Sequence, residues 1–172
     1  MSMPEQRTLI ADRRVQQDDW VLLEEGAERP ADAGVIVPVA EWLEAPGKDV
    51  APLLSSDTEL TPELAGQLLD APLIAIDFPK FTDGRGYSIA RLLRERYGYA
   101  GQIRAVGDVL IDQLFYMSRC GFNAFLLRED QIVEDALNAL DTFSLSYQPG
   151  TDTEEPLFRR RMREARREQA VA

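Results

Sequence analysis

From residue 73 onward the chain alternates short continuous apolar runs with stretches whose apolar residues recur every three or four positions. Residues 73–76 form a run of strand length that stops at Asp77-Phe78-Pro79, the mark of a strand buried on both faces. After Asp83-Gly84-Arg85-Gly86, the residues Ile89, Leu92, Leu93 and Tyr97 fall at helical spacing until Gly98, a helix stop. Residues 102–106 predict a second strand. Gly107-Asp108 then opens a second helix carrying Leu110, Leu114 and Met117, with Asp108 as its cap, closing at Gly121. Residues 122–127 predict a third strand, and Asp130 caps a third helix bearing Ile132, Ala136, Leu140 and Phe143.

The pattern before residue 73 is weaker. Residues 20–23 and 35–39 predict two strands, residues 41–44 one helical turn, and Thr61-Pro62 the start of a helix running to about residue 69. The chain therefore predicts an α/β fold. A βαβαβα unit with a parallel sheet follows an N-terminal α/β extension, the sheet being either open and Rossmann-like or curled into a half-barrel. Residues 1–148 are expected to form one domain, with 73–148 its best-defined core, and residues 149–172 a flexible arginine-rich tail.

In parallel sheets, ligands bind beyond the carboxyl ends of the strands, which makes those ends the place to look for chemistry. Asp77 and Lys80 at the end of the first strand are the candidate catalytic pair, because a lysine after an apolar strand can be desolvated into an acid, base or anion clamp. Arg85 and Gly86, at a helix start with unpaired amides, and Arg104 are candidate anion-binding residues. Asp108 and Asp112, four residues apart, are candidates for structural or functional roles. Asp112 is expected to pair with Arg104 or Arg119.

Composition narrows the chemistry. The 172 residues contain no histidine and one cysteine, Cys120, so imidazole triads, intrachain disulfides and zinc ribbons are excluded. Cys120, at a helix end before Gly121, is expected to pack rather than react. No metal site is expected. Gly84-x-Gly86 has Ile89 where a dinucleotide fingerprint needs glycine, and no P-loop, flavin or heme motif occurs, so no cofactor is expected. The net charge of −11 is uneven, with residues 1–72 at −10 and residues 73–128 at +3. That balance opposes nucleic-acid binding and favours a basic partner surface. Only two of the 19 bases are lysines, Lys48 and Lys80. The tail from residue 157 carries six arginines and two glutamates, suited to an acidic partner. No signal or membrane segment is evident, and a cytoplasmic location is expected.

Residues 76–88 (IDFPKFTDGRGYS), Ala90-Arg91-Leu92-Leu93-Arg94, residues 103–110 (IRAVGDVL), Asp112-Gln113, Arg119-Cys120-Gly121-Phe122 and Tyr147-Gln148 together resemble the bacterial domain-of-unknown-function 934 family. The resemblance spans roughly residues 20–148. The chain departs from the family's Cys-Gly-Phe-Asp pattern at Asn123, which places no carboxylate there. Members are typically encoded beside sulfite reductase and are described as oxidoreductases of sulfite reduction, although no catalytic residue comes with the resemblance. It implies an accessory protein of assimilatory sulfite reduction acting with a sulfite reductase or other sulfur-assimilation protein, any redox cofactor belonging to that partner. The alternative is a small enzyme acting on a phosphorylated or sulfonated metabolite, with Lys80 as acid–base group and Arg85 or Arg104 as the anion clamp.

Overall fold

The computed structural model describes residues 7–24 and 26–171. Eight strands form one sheet: β1 (Leu9–Ala11), β2 (Arg14–Gln16), β3 (Trp20–Leu22), β4 (Gly34–Pro38), β5 (Val50–Leu54), β6 (Leu73–Phe78), β7 (Gln102–Gly107) and β8 (Ala124–Leu126). The helices are α1 (Val39–Glu44), α2 (Pro62–Leu68), α3 (Arg85–Glu95), α4 (Leu114–Cys120), α5 (Val133–Leu140) and α6 (Leu157–Val171). The spatial order is β2-β1-β8-β7-β6-β5-β4-β3. From β3 to β8 every neighbouring pair is parallel and follows chain order, and β1 closes the far side antiparallel to β8.

A parallel sheet that always steps to the next neighbour keeps its crossovers on one side. Accordingly α1 to α5 all send residues into the core on one face of the sheet, among them Trp42, Leu68, Leu93, Met117 and Leu140. Strand alternation puts Ile74, Ile76 and Phe78 on that face and Leu73, Ala75 and Asp77 on the other. The second face sets the small Ala11, Ala51, Ala75 and Ala124 beside the larger Leu9, Ile36, Leu73, Val106 and Leu126, with no helix residue among its buried members. It is buried because the sheet curls over itself into a half-barrel. Asp18, two residues before β3, binds Arg104 of β7 at 2.8 Å. In a flat sheet β3 and β7 would be separated by four strand spacings, roughly 19 Å. Close wall packing has local requirements too: a Cβ on Gly34 would lie 2.6 Å from the Trp20 ring.

The structure adds elements to the sequence reading and moves others. β5 occupies a stretch with no expected strand because Pro52 interrupts it. Pro52 is tolerated because pairing with β6 begins only at Leu53. β1 and β2 form a hairpin whose turn residues, Asp12 and Arg13, both adopt positive φ without a glycine to announce it. α4 begins at Leu114, after a single 3₁₀ turn at Ile111–Gln113, rather than at Gly107-Asp108, so Asp108 caps no helix. Asp130 likewise does not cap α5, which starts at Val133 without a side-chain cap. Gly121 does end α4, at φ +117°. The tail contains a 15-residue helix, α6.

Candidate functional site

The carboxyl ends of β5 to β8 form a rim on which two clusters are joined by the loop between β6 and α3. At one end of that loop, Asp83 grips Arg85 through two bonds, Nε to Oδ1 at 2.9 Å and Nη2 to Oδ2 at 2.7 Å. Ser56, buried just after β5, donates to Asp83 Oδ2 at 2.6 Å. Asp83 also accepts the Arg85 amide, orienting the first turn of α3. Beside this cluster a hollow of about 320 Å³ is lined by Ser56, Thr58, Leu60, Arg85, Ser88 and Leu92 among others.

At the other end, the Phe81 amide donates to Asp108 Oδ2 and Gln113 Nε2 donates to the Phe81 carbonyl. Asp108 also accepts from Arg128 at 2.6 Å, and Arg128 forks onto Asp130 with two further bonds of 2.6 Å. Gln131 ties the same corner to the Ile111 amide. Gln113 Oε1 is buried with no hydrogen-bond partner among the described residues. Lys80 sits between the two clusters, next to Phe81, with its side chain exposed.

Below the rim, Asp77 belongs to the inner face of β6. Gly107 of β7 makes room for it, since a Cβ there would lie 2.5 Å from Asp77 Oδ1 and 2.5 Å from the Phe78 carbonyl oxygen. Gly107 also has φ +91°, so two separate constraints demand glycine at this position. Arg7 reaches over from the start of β1 and donates to the Gly107 carbonyl at 2.9 Å.

The electrostatics sort the carboxylates. Asp83 is held well below the usual carboxylate range, first by its Arg85 hydrogen bonds and then by Ser56. Asp130 is lowered to about 2, chiefly by Arg128. Asp108 is lowered by the Phe81 amide and then by Arg128. Asp77 moves the other way: burial raises it, with Arg7 offsetting part of the effect. It is the one described carboxylate with a resolved upward shift, and it faces the half-barrel interior.

The predicted residues thus fall into three places. Lys80, Arg85 and Asp108 share the rim, while Asp77 lies just inside it. Arg104 is elsewhere. Its guanidinium, 2% exposed, is held in the interior by Asp18 and by the Gln102 side-chain oxygen. Gly86 is packed against Phe78, whose Cζ would lie 2.8 Å from an added Cβ. Asp112 is exposed and pairs with neither expected arginine, because Arg104 has Asp18 and Arg119 faces Asp152 and the Gln148 carbonyl. Cys120 is buried at the end of α4, and burial pushes its thiol up. Sequence reasoning missed Arg7, Asp18 and Ser56. Asp18 and Arg7 act across long chain separations, and Ser56 follows the strand that Pro52 conceals.

Asn123 shows what its position requires. Its side-chain oxygen accepts from the Ile103 amide at 2.8 Å and from Arg94 at 3.2 Å, two bonds that a carboxylate could equally accept.

A family model described as "Bacterial protein of unknown function (DUF934)" matches residues 53–158. The chain belongs to this family. The match takes in both rim clusters and ends in the first turn of α6, while Arg7, Asp18 and β1 to β4 lie before it. No curated protein and no solved structure matches the chain. Among the described residues no group of three or more His, Cys, Asp or Glu side chains could hold a metal ion, and no helix is long and apolar enough to cross a membrane.

Proposed function

We propose that this DUF934 protein is an accessory component of assimilatory sulfite reduction that acts by contacting a reductase partner rather than by turning over an anion itself. The observation that carries this reading is the internal neutralisation of the arginines. Arg85 is bound by Asp83, Arg104 by Asp18, and Arg128 by Asp108 and Asp130. An incoming sulfite, sulfate or phosphate would compete with carboxylates already seated at hydrogen-bond distance. The acidic N-terminal segment, at −10 over residues 1–72, supplies the charge for a contact with a basic partner surface.

The test is recovery of a sulfite-reducing enzyme with the tagged full-length chain from cells growing on sulfate. Retention that falls when the exposed Glu28 and Asp32 are changed to lysine supports the acidic contact. Absence of any reductase, with sulfite-dependent growth unchanged on deletion, overturns the reading.

A second reading, the small enzyme acting on a phosphorylated or sulfonated metabolite, draws on one observation: Asp77 is half-buried with a raised pKa at the strand-end position where half-barrels and barrels carry chemistry. In that case Lys80→Ala abolishes turnover while partner binding survives.

A further inference from the structure

Every residue of α6 from 158 to 170 is exposed, including Phe158 at 53% and Met162 at 55%. A 15-residue helix with no packed face is marginal in water, and its Arg160–Glu164 pair at helical spacing adds little. Phe158 and Met162, four apart, stand on one side as an unpartnered apolar pair. Six arginines against two glutamates give the helix a formal +4. Its first turns are tied to the loop that precedes it by the Leu157 amide on the Tyr147 carbonyl and by Arg163 on Glu155 at 2.8 Å. Its apolar pair is thus uncovered, and four of its six arginines, Arg159, Arg161, Arg166 and Arg167, make no ion pair among the described residues.

A complementary surface lies on the same chain. At the amino ends of β5 and β6, opposite the rim, a hollow of about 510 Å³ is walled by Trp42, Leu43, Pro46 and Pro72. The Trp42 indole is fixed there by its bond to the Val50 carbonyl at 3.1 Å. Asp70 lines the hollow alongside Lys48, and Glu44 and Asp49, chain neighbours of its lining residues, are exposed. Within the hollow Asp70 and Lys48 cancel, so its acidic excess is that of Glu44 and Asp49 at its edge. An amphipathic helix laid into an apolar groove through residues four apart is a common recognition mode, and here three carboxylates, Glu44, Asp49 and Asp70, outnumber the one lysine, Lys48, around the groove.

We propose that α6 of one molecule docks in the Trp42 hollow of a second copy, with Phe158 and Met162 as anchors and the arginines against the acidic flank. Reciprocal exchange closes a two-fold dimer and leaves no free groove. The inference stands apart from the sulfite-reduction reading, because both surfaces belong to this chain.

Sedimentation of the full-length protein tests it. The expected result is a dimer that weakens between about 50 mM and about 500 mM salt. Its dissociation constant should rise at least about tenfold in Phe158→Asp/Met162→Asp. Both changes fall on exposed positions, so retained ellipticity and melting of the body verify folding. A second arm mixes Leu43→Cys chains with Met162→Cys chains under oxidising conditions, which should give a mixed disulfide dimer, while Val15→Cys in place of Leu43→Cys should not. A monomer at all concentrations overturns the proposal. So does a dimer indifferent to the anchor changes, or cross-linking that does not distinguish Leu43→Cys from Val15→Cys.

Discussion

Arg104 and Arg85 each bind both oxygens of one aspartate, Arg104 through Nη1 alone in the half-barrel interior and Arg85 through Nε and Nη2 on its rim. The contrast lies in the arginines, Arg104 being 2% and Arg85 62% exposed, while their carboxylate partners Asp18 and Asp83 are alike at 20% and 14%. Removing one member of a buried pair strands the other charge in a poor solvent, while water replaces a lost partner at the surface. Interior pairing is therefore a constraint on folding. Rim pairing is local and tunable, and holds Asp83 ionised where the β6–α3 loop turns. The same contrast separates Asp77, raised by burial, from Asp83, lowered by its partners.

The largest effect expected is for Asp18→Ala, which should cost about 3–5 kcal/mol in urea unfolding by leaving the Arg104 guanidinium, 2% exposed, without its carboxylate in the interior. A cost no greater than that of Arg85→Ala would break the comparison. Gly107→Ala should follow at about 2–3 kcal/mol, from its positive φ and the Phe78 carbonyl contact. Adding Asp77→Ala sharpens this test. If the backbone contact and φ dominate, most of the loss persists in the double variant.

Arg85→Ala should move the unfolding midpoint much less than either. Its effect should also shrink in acid, because a lowered pKa gives stability that is present above the ordinary value of 3.8 and lost as pH falls through the folded value. Comparing wild type and variant midpoints from pH 7 downward checks this. Asp77→Asn should have the smallest effect and the opposite sign. The raised pKa penalises the ionised form, so wild type is favoured below 3.8 and loses that advantage as pH rises through the folded value. The variant should melt slightly higher at pH 7, with the gap closing toward pH 3.

How much of this was readable in advance depended on range. β6, α3 and β7 follow from the apolar run at residues 73–76, the spacing of Ile89 and Leu93 and the stop at Gly98, all signals contained within a dozen residues. Lys80, Arg85 and Asp108 could be placed on a rim because strand ends follow from that alternation. Asp108 was misassigned as a helix cap because Leu110 and Leu114 fit a helical period, although the chain first makes a 3₁₀ turn. β5 was illegible because Pro52 argues against a strand unless the missing partner bond is known.

The amino-acid order alone determined the β-α alternation after residue 73, the exclusion of imidazole chemistry and the separation of an acidic first half from an arginine-rich end. Each is a property of neighbouring residues or of a count. Tertiary structure decided that the sheet curls, that Asp18 and Arg104 meet across 86 residues of chain, and that Arg7 crosses to Gly107. The physical reason is that side-chain period fixes which face a residue occupies, whereas which distant strands meet across that face depends on the curl of the whole sheet.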